Sequence, residues 1–65
     1  IFPNPVNAGQ SVYFNTVVSG TVIDLTGRLI VKFENVQELP TAEIEAGTYI
    51  VTTFKSGTRR IIILP

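Results

Sequence analysis

The sequence predicts an all-β protein, an antiparallel β-sandwich of about seven short strands, and three observations carry the prediction. No window shows the i, i+3, i+4, i+7 apolar spacing of an amphipathic helix. Short runs rich in Val, Ile, Thr, Tyr and Phe recur along the chain. Turn signals separate these runs roughly every 8 to 12 residues, the rhythm of a sandwich rather than of βαβ units.

Pro3-Asn4-Pro5 sets two φ angles at about −65° and removes two backbone donors, so the chain begins as extended lead-in at a sheet edge. Asn7-Ala8-Gly9 is a turn signal, and Ser11 to Asn15 follows as a strand. Ser19-Gly20 interrupts the next apolar stretch, with Val17 assignable to either side, and Thr21 to Leu25 is a third run. Thr26-Gly27 then joins that run to Arg28 to Phe33 as a β-hairpin, Gly27 supplying the φ > 0 position. Asn35 to Pro40 is polar and ends in Pro, which predicts a loop, and Thr41 to Glu45 alternates weakly as a strand. Ala46-Gly47 is a turn before Thr48 to Phe54, where nearly every residue is β-branched or aromatic. Ser56-Gly57 closes a second hairpin into Thr58 to Leu64, whose Ile61-Ile62-Ile63-Leu64 end is apolar on both faces. Such a strand is internal to a sheet or awaits a partner.

Composition narrows the functions open to this fold. Sixty-five residues allow one core, burying about 60% of the unfolded surface and supplying roughly 3 to 5 kcal/mol. With no Cys and no His, neither a disulfide nor a Cys/His zinc site can reinforce it, and His- or Cys-based catalysis is excluded. No cofactor is predicted. Hydrophobic residues make up 45% and charged residues 15%, with a mean hydropathy of +0.35, so the chain folds rather than staying disordered. Five basic and five acidic residues cancel, which removes the electrostatic footprint of a nucleic-acid binder. The longest apolar run, Ile61 to Leu64, falls far short of the roughly 20 residues of a membrane-spanning helix, so no direct membrane insertion is expected. Ile1-Phe2-Pro3 carries neither an initiator Met nor signal-peptide character, and the expectation is a single domain, residues 1–65, cut from a longer precursor.

The punctuation of the chain has a recognisable order. Phe2-Pro3-Asn4-Pro5-Val6 is followed by Val22-Ile23-Asp24-Leu25-Thr26-Gly27-Arg28, then Ile44-Glu45-Ala46-Gly47-Thr48-Tyr49-Ile50-Val51, then Gly57 and Arg60-Ile61-Ile62-Ile63. It resembles the type A C-terminal sorting domains of type IX secretion cargo, over essentially the whole chain. The resemblance implies an immunoglobulin-like sandwich that acts as a non-enzymatic address. Cargo would cross the periplasm, be recognised by translocon and shuttle proteins at a Gram-negative outer membrane, and reach the cell surface or the exterior. A surface sortase usually removes the domain, at a bond before the Pro-Asn-Pro element and therefore outside this chain. Two features depart from the family: the chain closes on Pro65 where a charged residue is common, and residues 36–45 match loosely.

Each candidate residue has a recognition reading and a plainer one. Pro3, Asn4 and Pro5 form a rigid docking element or a stiff edge that blocks aggregation. Asp24 is expected to accept turn amides, leaving Arg28 as the exposed group that a receptor would read. Gly27, Gly47 and Gly57 answer backbone demands, and Tyr49 is expected to be a core or corner aromatic with a backbone partner for its hydroxyl. Arg59 and Arg60 form a guanidinium pair suited to carboxylate or phosphate, or guard an edge. Ile61, Ile62, Ile63 and Leu64 add to a partner's sheet or form a core strand. The aliphatic last strand also suits the chain to strand exchange or edge pairing as a dimer. Two other functions stay open: a retained immunoglobulin-like adaptor in a surface complex, and an adhesion or carbohydrate-binding sandwich. The latter needs exposed aromatics, whereas most of the four Phe and two Tyr are expected in the core.

Overall fold

The computed structural model describes residues 4–55 and 57–65. Among them, five strands form one sheet: β1 (Val6–Asn7), β2 (Ser11–Asp24), β3 (Leu29–Pro40), β4 (Gly47–Thr53) and β5 (Gly57–Leu64), in the order β1-β5-β4-β2-β3. The pairings are antiparallel except β1 with β5, which is parallel. The chain is all-β, as predicted, but about seven strands in a sandwich become five in a single hydrogen-bonded sheet.

Three local causes account for the difference. Ser19-Gly20 does not end a strand: β2 runs through it, and Gly20 pairs with Phe33 on one side and Thr53 on the other. The predicted loop Asn35–Pro40 is instead the second half of β3, with Pro40 closing its pairing opposite Ser11 on the sheet's edge strand, where a missing donor is tolerated. The weak strand predicted at Thr41 to Glu45 is a turn. There Thr41 directs both its amide and its hydroxyl to the carbonyl of Gln10, and the Ile44 N–H donates to the Thr41 carbonyl at 3.0 Å, which drops Ile44 into the core.

A straight 14-residue strand would span about 46 Å, yet the longest dimension of the molecule is 28 Å. The β2–β3 hairpin therefore bends, and its register shifts at three places, between Tyr13 and Val18, Val18 and Gly20, and Val22 and Ile23; the middle one is built as follows. Between the pairs Gly20↔Phe33 and Val18↔Val36, Ser19 on β2 faces both Glu34 and Asn35 on β3. The extra residue is a β-bulge, which sharpens twist and turns a strand aside. Asn35 takes φ 52°, a conformation Asn tolerates better than most side chains, and its N–H donates to the Ser19 hydroxyl at 3.0 Å. From just past the end of β4, the Phe54 N–H donates to the Ser19 carbonyl at 3.1 Å. Gly20 is required here by space. A Cβ at this position would lie 2.0 Å from the Thr52 carbonyl oxygen.

Past the bend, the first half of β2 crosses over β4 and β5, and alternate residues Val12, Phe14, Val18 and Val22 enter one core with Val51, Ile61 and Ile63. Phe14 and Phe33 stack with ring centroids 5.6 Å apart. Phe14, Phe33 and Tyr49 are buried, but Tyr13 and Phe54 are exposed, so the expectation that most aromatics serve the core holds only in part.

Candidate recognition surface

The predicted recognition residues fall into three places. Pro3 lies outside the described residues, as do Phe2 and Ser56. At the turn between β2 and β3, Asp24 Oδ1 accepts the Thr26 N–H (2.9 Å), the Thr26 hydroxyl (2.6 Å) and the Arg28 N–H (2.9 Å). Gly27, at φ 91°, donates its N–H to the Asp24 carbonyl at 3.0 Å. One carboxylate thus organises a tight Asx-type turn. The Thr26 hydroxyl, and after it the Arg28 amide, hold the Asp24 carboxyl below its ordinary value, against an opposing contribution from desolvation. Arg28 Nε reaches Asp24 Oδ2 at 3.2 Å while its side chain stays 77% exposed. The guanidinium is oriented yet open to a partner.

The second place is the edge of β5. β1 pairs with it at only two positions, Val6↔Ile63 and Asn7↔Leu64, and the Ala8 N–H adds a bond to the Leu64 carbonyl at 2.8 Å. The Asn4 side chain lengthens this contact: Nδ2 donates to the Arg60 carbonyl at 2.8 Å, and Oδ1 accepts the Ile62 N–H at 3.2 Å. A side-chain amide has the donor and acceptor of a peptide group, so Asn4 serves as one more rung of the ladder. Pro5, exposed and following a cis peptide bond, links this rung to β1. The strand Ile61-Ile62-Ile63-Leu64 accordingly lies inside the sheet, between β4 and β1. Ile61 and Ile63 are in the core, while Ile62 and Leu64 lie on the outer face.

The third place is the pair of arginines, which the pleat separates. Arg59 pairs with buried Val51 and points to the core side, where it lines a cleft of about 120 Å³ with Phe14, Asn15 and Thr16. Arg60 pairs with Ile50 on the opposite face. The two guanidiniums cannot act as one fork, and neither shares a turn with Arg28.

Residues the sequence did not single out complete the outer face. Ile23, Ile50 and Arg60 stand in one row across β2, β4 and β5, and Thr48 pairs with Ile62 beside it. Thr21, Thr52 and Thr58 form the next row, the last two with hydroxyls 3.3 Å apart. The signal was present in the alternation Thr48, Ile50, Thr52 but was hidden by a run in which every residue favours strand. Phe54, 78% exposed at the end of β4, shares a groove with Val17 and Lys55. At the backbone, Gly47 (φ 153°) and Gly57 (φ 78°) hold conformations that L side chains rarely adopt. Tyr49 is buried, and its hydroxyl donates to the Glu45 carbonyl at 2.7 Å, bracing the turn that precedes β4.

Among the described residues no cluster of three His, Cys, Asp or Glu is placed to hold a metal, and no helix is long and apolar enough to cross a membrane. No curated protein and no solved structure matches the chain. A family described as secretion system C-terminal sorting domain matches residues 1–64. On that match the chain belongs to the type IX secretion C-terminal sorting domains, signals for export to the outer membrane, cell surface or exterior of Gram-negative bacteria.

Proposed function

We propose that the folded domain is a non-enzymatic address, read as a surface by translocon or shuttle proteins after its cargo enters the periplasm, and removed by a surface sortase once the cargo has crossed. The family match over residues 1–64 carries the reading. The contact surface is the outer face of β4 and β5, where Arg60 is set among Ile50, Ile62 and Leu64, together with the oriented guanidinium of Arg28. An apolar patch with a central arginine has the composition of a binding hot spot. In this role Pro3-Asn4-Pro5 acts through Asn4, by holding β5 in register, and Arg59 acts from the other side of the sheet.

The test is a fusion of the domain and its preceding linker behind a signal peptide and a soluble reporter, in a host with this secretion system. Surface arrival with loss of the domain's mass is expected. Arrival with the domain intact would replace the cleaved signal by a retained adaptor, and a reporter held in the periplasm would overturn the sorting reading. Arg60→Glu is expected to hold the reporter in the periplasm while the purified domain melts as before. Normal export of that variant would remove Arg60 from the contact surface.

A further inference from the structure

Between the pairs Tyr13↔Glu38 and Val18↔Val36, β2 has four residues where β3 has one. The surplus arches away from β3, and two depressions that share Thr16 and Val18 open beside the arch. The first is the cleft of about 120 Å³ that Arg59 lines. Phe14, Val18, Val51 and Thr53 are buried and form its floor, while Asn15, Thr16 and Arg59 are exposed at its rim. The second is the groove that Phe54 shares with Val17 and Lys55. Phe54 is the most exposed large hydrophobic residue among those described, and Val17 is 48% exposed.

Charge sets this region apart. Among the described residues no acid lines either depression, and each is lined by one base. Arg28 is paired with Asp24 and Lys32 with Glu34, but neither Lys55 nor Arg59 has a carboxylate within ion-pair distance. We propose that this end of the domain binds an acidic segment of a partner protein, seating one Glu or Asp carboxylate on Arg59 and a neighbouring apolar side chain against Phe54 and Val17. The size of the cleft selects the ligand class: it falls well below the roughly 300 to 1,000 Å³ of small-molecule sites, so it takes one side chain rather than a cofactor or a sugar. The planar guanidinium offers a carboxylate two parallel donors. One guanidinium over an apolar floor neutralises a monoanion and accommodates its methylene stem, whereas a phosphate dianion would be left half balanced. Lys55 adds attraction for an acidic chain from the adjoining groove. Exposed aromatic side chains and arginine are also the residue types enriched at protein interfaces. The site lies across the sheet from Arg60, and it does not depend on the sorting role.

NMR titration of the isotope-labelled 65-residue chain with the blocked peptide acetyl-Ala-Leu-Glu-Ala-amide tests it. Saturating shifts are expected at the Arg59 Nε–H and at the Thr16 and Phe54 amides, with a dissociation constant in the millimolar range. Replacing the peptide's Glu by Gln, or Arg59→Gln in the domain, should each weaken binding about tenfold. Phe54→Ala should weaken it by a smaller factor, and Arg60→Gln, on the opposite face, should leave it unchanged. Unaltered amide shifts at Val22 and Ile63 show that each variant is folded, and the Gln peptide needs no variant at all. Equal binding of the Glu and Gln peptides, an equal loss in Arg60→Gln, or the absence of any saturating shift would overturn the proposal. Tighter binding of the corresponding phosphoserine peptide would make the cleft a phosphate site and overturn the carboxylate assignment.

Discussion

The two hairpins of this domain share a core but are specified differently. The β4–β5 hairpin runs from Gly47↔Ile63 to Thr53↔Gly57 with no shift in register, so the pleat alone decides which side chains are buried. The β2–β3 hairpin shifts register at three points and bends over the other. Its decisive residues are small or polar ones that act through the backbone. The sharpest test of this difference is Gly20→Ala. The added methyl would meet a backbone oxygen at 2.0 Å that no rotamer change can relieve, at a cost of about 3 kcal/mol or more. A domain of this size has roughly 3 to 5 kcal/mol to lose. Denaturant unfolding should find the variant largely unfolded in water. A midpoint close to wild type would mean that β2 does not pass so near Thr52.

The regular hairpin is exposed to a different failure, at its border. Asn4→Ala deletes both side-chain bonds to β5 and should cost about 1 to 2 kcal/mol. Amide exchange at Ile62 should accelerate while that of Val51, inside the sheet, changes only with global stability. Equal acceleration at both would show that Asn4 has no local hold on β5. Back at the bend, Ser19→Ala removes the acceptor for the Asn35 N–H and should cost about 1 kcal/mol. The loss should shrink in the background of Asn35→Gly, which relaxes φ 52° by itself. Simple additivity of the two changes would uncouple the hydroxyl from the bulge.

The same contrast explains what the sequence made legible. Thr48 to Phe54 and Thr58 to Leu64 are read correctly as a hairpin to within a residue or two because consecutive pairing leaves the period of two intact. The Asp24–Arg28 turn is legible because Asp, Thr and Gly each have one strong local use there. The bend is not, since the bulge at Glu34-Asn35 breaks the alternation between Phe33, Val36 and Leu39 and makes half of a strand look like polar loop. Ser19-Gly20 is a turn signal by composition, yet close approach of a third strand, a tertiary fact, gives Gly20 its purpose. For the candidate surface, residue types indicated arginines on the last strand. Only the pleat shows that Arg59 and Arg60 face opposite ways, and only the register sets Ile23 and Ile50 beside Arg60.

The smallest expected effect lies at the turn that both readings agree on. Asp24 is ionised more readily in the folded chain because the Thr26 hydroxyl and then the Arg28 amide donate to its carboxylate, so its folded pKa lies below the unfolded value near 3.8. A lowered folded pKa means that the unfolded chain binds the proton more tightly, and acid therefore favours unfolding. The stabilisation is complete above the unfolded value, at about pH 5 and higher, and drains away as pH falls through the folded one. Asp24→Asn keeps an acceptor oxygen but loses the charge. Its melting temperature should lie slightly below that of wild type at neutral pH, and the gap should close as the acid limb is descended. If the two proteins instead keep a constant separation from pH 7 to pH 2, the carboxylate is not what the turn senses. The hydrogen-bond geometry alone, which asparagine can largely reproduce, would then account for the turn, and the regular and bent hairpins would both rest on backbone fit rather than on charge.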